Sequence, residues 1–460
     1  MLSFLQRKYT NLVSDTSFSE ILTGTVWALS ARLLATGMGL VFSVMVVRFY
    51  GAEAMGIVAI IYSFFTLASI LTVLGTDTSI LRLIPEHLTK YSPFSAFKVY
   101  RKTQYMIMGV SLVTGTIFFF SAEFISTYVF SKPHLTFYFA LSSVFILFHS
   151  MMKLNTEAVR GLRLIKAFSL MLALPQCLNL IFLTLISLVQ PTPNAPVYSV
   201  LGGFALTGIA GWIIMEYALK KRIKANDSVL PVSSCNILSI SLPMLLSAAM
   251  TFIISETGIL MLGMFRSEEE VGYYAIAIKL ASLPAFVLQA INSMAGPKFS
   301  ELFHSDKIEE LFHVAHKSAK LIFFTSVPIL IGLVALGNPI LRIIFGTGFA
   351  TAYMALILLA VGQFVNAISG SSGMFLNMTG NQNVLRNIMT LAAVINLSLN
   401  FLLIPNFGIN GAAFSAMISL CLWNLTTVVY IKIKFGKTTG YVPIFKKASQ
   451  QINKLNINEK

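Results

Sequence analysis

The sequence predicts an all-α polytopic membrane protein with twelve transmembrane helices in two six-helix bundles. Composition, the spacing of apolar runs and the placement of basic residues carry this reading. The 460-residue chain is 56% hydrophobic and only 11% charged, against about 25% charged in an average soluble domain. Mean hydropathy is +0.78. A water-soluble globule of this length has no interior large enough for so much apolar surface. Intrinsic disorder requires the opposite composition. Cys177, Cys235 and Cys421 are far apart and show no CxxC or metal spacing, so no disulfide framework is implied. The stretch 1–20 carries Arg7, Lys8, Asp15 and Glu20 without a long apolar run. No cleavable signal peptide is expected there.

A spanning helix needs about 20 mostly apolar residues. After a cytoplasmic segment at 1–23, such runs fall at 24–47, 55–76, 104–122, 134–152, 168–189 and 198–218. They make an N-terminal bundle over 24–219. A basic cytoplasmic linker at 220–237 follows. The second set falls at 238–264, 272–296, 321–337, 352–377, 388–404 and 411–431, a C-terminal bundle over 238–431 before a basic tail at 432–460. Pro175 and Pro284 lie inside spans, where neighbouring helices can satisfy a freed carbonyl. With the N-terminus inside, the inner segments hold 27 Lys and Arg residues. The outer segments hold four: Arg48, Lys132, Arg266 and Arg342. That bias places both termini in the cytoplasm and accounts for most of the net charge of +15. The basic loops therefore imply no nucleic-acid partner, although they attract anionic membrane lipid.

The two halves share weak similarity. GIVAIIYS from Gly56 resembles GYYAIAIK from Gly272, and FSKPHLTFYFAL from Phe130 resembles FGTGFATAYMAL from Phe345, at offsets of 216 and 215. Each half begins and ends inside, so the repeat is a parallel one. Transporters built this way hold substrate between the halves and rock one bundle against the other.

Several runs carry a family resemblance. VVRFYGAEAMG (46–56) resembles the first outer loop of the oligosaccharide flippases, with an arginine ending helix 1 and a glycine opening helix 2. TVLGTDTSILRLIPE (72–86) resembles their exit from helix 2. EVGYYAIAIKL (270–280) resembles the start of helix 8, GPKFSEL (296–302) the next inner loop, and FGTGFATA (345–352) the approach to helix 10. The chain from about 20 to 435 thus resembles the Wzx-like polysaccharide exporters of the MOP superfamily. The resemblance implies a MATE-like fold with a central cavity lined mainly by helices 1, 2, 7 and 8. It also implies a polyprenyl-diphosphate-linked oligosaccharide as substrate, turned from the inner to the outer leaflet.

An ionised side chain near the bilayer centre costs about 2.5–3.5 kcal/mol on insertion scales. Arg32, Glu256 and Lys279 lie well inside spans, and the resemblance puts them on cavity-lining helices. Arg32 sits about 12 Å along helix 1 from its inner end. It is open to two readings: snorkelling toward the cytosol, or anchoring a diphosphate through its planar fork. Glu256 and Lys279 lie at similar depth on an antiparallel hairpin. They form either a structural ion pair or a switch in which an anion attracts Lys279 and frees Glu256 to take up a coupling ion. Many family members carry an aspartate near the Glu256 position. Arg48, at the end of helix 1, is an interfacial anchor or a substrate contact. Arg82 reads as a topology charge or an entry guide for an anionic headgroup. The polar run GQFVNAISGSSGMFLN (362–377) supplies small residues for close helix approach, with Gln363 and Asn366 as alternative sugar ligands. Tyr62, Phe64, Phe65, Tyr273 and Tyr274 are core, lipid-facing or sugar-stacking groups.

FGKTTG at 435–440 lacks the upstream glycine of a nucleotide-binding loop, because Ile431 occupies that position. His313 and His316 read as solvated, and no cofactor is expected. The sequence therefore points to a secondary transporter rather than an enzyme, in the plasma membrane of a bacterium or archaeon. The substrate-binding residues are Arg32, Lys279 and Arg48, and the ion-coupling residue is Glu256. Polysaccharide assembly proteins are possible partners. The alternatives are a MATE-type cation-coupled drug exporter and a non-transporting scaffold for polysaccharide assembly.

Overall fold

In hydrocarbon every backbone N–H and C=O must be satisfied within the segment or by close neighbours, so runs as apolar as these become helices. A computed structural model describes residues 16–189, 192–223 and 233–441. The described regular structure is all helical. In order it comprises α1 (Thr16–Val73), α2 (Thr76–Lys90), α3 (Pro93–Phe120), α4 (Thr136–Gly161), α5 (Ile165–Val189), α6 (Ala195–Lys220) and α7 (Ser234–Phe265). These are followed by α8 (Glu268–Ala281), α9 (Ala285–His304), α10 (Ile308–Ile340), α11 (Tyr353–Ser369), α12 (Ser372–Met378) and α13 (Gln382–Phe435). The expected N-terminal segment up to residue 15, the linker core 224–232 and the tail from 442 lie outside the described residues.

Two helices are far too long for one crossing. α1 has 58 residues and is interrupted at Gly51, which sits at φ 89°. α13 has 54 residues and is interrupted at Gly408, at φ 53°. Only glycine takes such angles without a Cβ penalty, so each glycine breaks one long helix into two span-length arms. Among the described residues nine helices are long and apolar enough to cross a membrane. The α8–α9 pair makes a tenth if its 47° bend lies inside one span. One further crossing in each of α1 and α13 is consistent with the twelve expected. The bend follows Pro284, the residue before α9.

Several stretches depart from the expected spans: α3 and α10 begin at Pro93 and Ile308 rather than at 104 and 321, and the run 272–296 is broken between α8 and α9. The run 352–377 is not one helix: α11 ends at Ser369, Gly370 takes φ 62°, and α12 begins at Ser372. A Cβ on Gly370 would lie 2.5 Å from the Cβ of Ala319, so the break lets two segments approach closely. α4 continues to Gly161, past the expected end at 152, and carries Lys153 and Glu157 into the helix.

The repeat has structural counterparts. A π turn at Ile125–Val129 leads into a 3-10 turn at Pro133–Leu135. A second π turn at Leu341–Phe345 leads into a 3-10 turn at Thr347–Ala352. The two π turns begin 216 positions apart, the same offset as Gly56 and Gly272.

Contacts divide the chain into two units. The first takes residues 1–252 and 259–275, and the second takes 253–258 and 276–460. In the first, Ile80 and Ile84 of α2 pack with Val99, Tyr100 and Ile107 of α3, Leu154 and Ala158 of α4, and Met215 and Leu219 of α6. Tyr100 is fully buried, and its hydroxyl donates to Asn155 Oδ1 at 2.8 Å. α2 is amphipathic: it buries Ile80, Leu83 and Ile84 and exposes Arg82. In the second unit Phe375 meets the rings of Phe299, Phe312 and Phe435 at centroid distances of 5.8, 5.1 and 5.7 Å. Both units carry apolar side chains on their outside, such as Phe120 at 81% exposure in the first and Ile433 at 79% in the second. An aqueous protein hides such surface; here it is the face presented to lipid.

Candidate functional site

The first unit gathers charge around Arg32. Its guanidinium, half-buried on the first arm of α1, lies within electrostatic reach of Glu157 and Arg160 on α4. Glu157 is also within reach of Asp77, in the first turn of α2. Arg160 Nη1 donates to Glu157 Oε2 at 3.2 Å and its guanidinium lies 5.4 Å from the Phe168 ring centroid. One turn deeper on α4, Lys153 Nζ donates to Ser69 Oγ at 2.7 Å. His149, a turn deeper again, is packed between the rings of Phe65 and Phe204.

Hydropathy ends the span at 152, which puts Lys153 and Arg160 among the inner-loop basic residues and gives Glu157 no role. A signal was available. Residues 149, 153, 157 and 160 follow a spacing of four, four and three, which puts them on one face of a helix. The early end assigned to span 134–152 concealed it. The resulting cluster holds three cations (Arg32, Lys153, Arg160) and two acids (Glu157, Asp77). A site of this kind suits a phosphorylated group, because guanidinium forks bind oxyanions bidentately. The acids and hydroxyls keep the cations from being stranded in hydrocarbon.

The other sequence-chosen residues are distributed as follows. Arg48 is exposed, three residues before the Gly51 break. Nearby, Tyr50 Oη and Ser187 Oγ are 2.6 Å apart. Glu256, on α7, and Lys279, on α8, both belong to the second unit, and each is half-buried. Arg82 is an exposed member of an i,i+4 pair with Glu86 at 3.7 Å, and Lys90 meets the same carboxylate at 2.9 Å. Phe64, Phe65 and Tyr274 are buried packing groups, whereas Tyr62 is 42% exposed. Small residues of the 362–377 run serve close packing: a Cβ on Gly362 would be 3.3 Å from Met417 Cα, and one on Gly373 3.3 Å from the Trp423 ring. His316 is not solvated as expected, since its ring lies 5.4 Å from that of Tyr441 and its Nε2 is buried.

The second unit contains a polar cluster that sequence reasoning missed. Thr257, next to Glu256, donates to Asn396 Oδ1 at 3.0 Å. Asn400 Nδ2 donates to the same oxygen at 2.9 Å, and Asn396 Nδ2 donates to Ser419 Oγ at 3.1 Å. Asn396 and Asn400 are each 1% exposed, and Asn400 Oδ1 has no hydrogen-bond partner among the described residues. A buried carbonyl oxygen without a donor is costly. It is also the kind of hard oxygen that ligates a small cation. Thr257 and Asn396 are 139 positions apart, so no local pattern announces the cluster. The i,i+4 asparagine pair was its one visible trace. Among the described residues no group of three His, Cys, Asp or Glu side chains is arranged to hold a metal.

Comparison with known proteins sets this geometry in context. Residues 45–354 match the model of a family described as polysaccharide biosynthesis protein. A Haloferax volcanii protein, the probable low-salt glycan biosynthesis flippase Agl15, is 26% identical over 250 residues, covering 53% of this chain and 51% of the relative. The matched stretch thus spans about half of that relative's length. Among solved structures, the lipid II flippase MurJ in an inward closed conformation superposes with a TM-score of 0.70 at 17% identity, covering 89% of this chain and 87% of MurJ. An inward-facing MATE family multidrug transporter of the MOP superfamily superposes with a TM-score of 0.69 at 14% identity, covering 90% and 98%. These likenesses establish a MurJ- and MATE-like fold, as the sequence resemblance implied.

Proposed function

The chain belongs to the polysaccharide biosynthesis protein family, and from that premise we propose that it is a flippase that moves a polyprenyl-diphosphate-linked oligosaccharide from the inner to the outer leaflet by alternating access. The observation that carries the reading is the charged cluster of Arg32, Lys153 and Arg160 with Glu157 and Asp77 on the membrane helices of the first unit. Support comes from the relatives: one is named a glycan biosynthesis flippase and another fold neighbour a lipid II flippase. Arg32 is the primary diphosphate anchor in this reading, Lys279 a further substrate-binding cation, and Arg48 a contact near the outer end of helix 1. The polyprenyl tail stays in lipid, so only the polar head needs the protein.

The 27-to-4 basic bias supports a multi-pass protein of the plasma membrane with both termini in the cytoplasm. The inside-negative potential then favours outward movement of each net negative charge by about 2.3 kcal/mol per 100 mV. Coupling to an ion gradient is assigned to Glu256 together with the adjoining Thr257, Asn396 and Asn400 oxygens. Protonation of Glu256 or entry of a small cation would neutralise the carboxylate before the second unit moves. Reconstitution with a fluorescent polyprenyl-diphosphate oligosaccharide tests the proposal. Protein-dependent translocation that falls sharply in Arg32→Ala supports it. Translocation equal to that of protein-free vesicles overturns it. Export of cationic drugs in an efflux-deficient host would favour the MATE-type reading instead.

A further inference from the structure

The segment 259–275 belongs to the second sequence repeat yet clusters with the first unit. The contacts that hold it there are unusually close. A Cβ built on Gly56 would lie 1.8 Å from the carbonyl oxygen of Glu268, and one built on Gly272 would lie 2.1 Å from the carbonyl oxygen of Ala52. Each glycine therefore meets the backbone four residues before the other. Gly56 and Gly272 open the paired repeat strings, so the two halves touch at equivalent positions. No side chain other than hydrogen fits at either point.

A charged latch closes over this contact. The Glu268 carboxylate is 2.8 Å from His134 Nε2 and 3.3 Å from Lys132 Nζ, and Lys132 Nζ also donates to the Arg266 carbonyl at 2.6 Å. Lys132 immediately precedes the 3-10 turn Pro133–Leu135 between α3 and α4, and His134 lies within it. The side chains of Glu268 and Lys132 are only 10% and 13% exposed.

We propose that Gly56, Gly272 and the Glu268–Lys132–His134 latch form the outer gate of the protein: a backbone clasp that shuts the outer end and must part for the glycan to leave. The proposal rests on the flippase reading for its cargo and on the proposed topology for the word outer. The physical reason for this design lies in what opening costs. A seal of large apolar side chains would expose hydrocarbon to water when it parts. Two glycines expose little apolar surface. The ions regain the hydration they gave up on burial, which offsets much of the lost attraction. Such a contact holds the closed state without locking it.

Labelling of a buried reporter tests the clasp independently of transport. Val271, beside Gly272, is fully buried. In a variant with Cys177, Cys235 and Cys421 replaced by serine, Val271→Cys is exposed to a membrane-impermeant maleimide outside intact cells. Slow labelling is expected with the latch intact. Glu268→Gln and Gly272→Ala each raise the rate by about tenfold or more, as a loss near 1.4 kcal/mol would. Monodisperse elution shows that the variants fold, and Glu268→Gln carries the test if Gly272→Ala does not. A Lys132→Glu/Glu268→Lys double variant returns the rate toward its starting value. Unchanged labelling in Glu268→Gln, or labelling only from the cytosolic side, overturns the gate. If labelling responds as expected while no lipid-linked glycan is moved, the cargo assignment fails and the clasp stands.

Discussion

Asn396→Ala probes the polar cluster of the second unit. Asn396 accepts from Thr257 and Asn400 and donates to Ser419 Oγ and the Ser415 carbonyl. Truncation leaves Asn400 Nδ2 with only a 3.4 Å contact to Thr257 Oγ1, while Thr257 keeps its bond to the Ile253 carbonyl. One buried donor is thus nearly orphaned, at about 1–3 kcal/mol. Hydrogen bonds between membrane helices are measured nearer 0.6 kcal/mol, up to about 1.7. A net loss of about 1–2 kcal/mol follows, or a fall of a few degrees in apparent melting temperature in detergent. The cluster's second property is cation dependence. A cation bound at a hundred times its Kd adds about 2.7 kcal/mol. Sodium or lithium is therefore expected to raise the melting temperature of the native protein over choline at equal ionic strength. Asn396→Ala and Asn400→Ala abolish that increment. A native melting temperature indifferent to sodium, lithium and choline refutes the cation reasoning. A normal melting temperature in Asn396→Ala refutes the packing reasoning.

Other predictions concern separate parts of the molecule. Arg32→Ala raises the KM for a diphosphate-linked substrate by about 10- to 100-fold, since a hydrogen bond to a charged group is worth about 1.5–3 kcal/mol; Arg32→Lys recovers part of it, and equal KM values for all three proteins would contradict the anchor. Gly208→Ala forces a Cβ to 2.6 Å from the Phe148 carbonyl oxygen and destabilises the first unit by about 1–3 kcal/mol, read as a lower melting temperature. His87, outside the spans, is buried with Nδ1 2.9 Å from Ser95 Oγ, and burial lowers its pKa below the ordinary 6.5. The unfolded chain takes up the proton first, so the stability of the α2–α3 junction is full above pH 6.5 and falls as pH drops below it. Hydrogen exchange across 76–100 should rise at pH 5.5 and lose that rise in a His87→Gln variant. The Glu86–Lys90 bridge is exposed; Glu86→Gln should therefore change stability by less than about 1 kcal/mol.

The fold was largely legible because lipid leaves few options. Runs near 20 apolar residues become helices, and each expected span falls largely on helix, although α3 and α10 begin well before their apolar runs and the run 272–296 is broken between α8 and α9; two further departures have causes in packing. At Gly370 the break depends on contact with Ala319 of another helix, which hydropathy does not register. In α4 the helix outlasts its apolar stretch because Lys153 and Glu157 find partners there. The site was legible only in part. Arg32 stood out because a charge in a span is rare, whereas its neighbours stood beyond the apparent span end and looked like loop charges.

Composition and pattern alone determined that the chain lives in a membrane, where its helices run, and that its halves repeat. Those properties follow from transfer of single segments between water and lipid, which neighbours in sequence decide. Tertiary structure decided which charges meet Arg32, that Thr257 joins two asparagines of α13, and that the α7–α8 tip clusters with the first unit. Each of these joins side chains or backbone groups more than a hundred positions apart, and their energies exist only once the helices have packed.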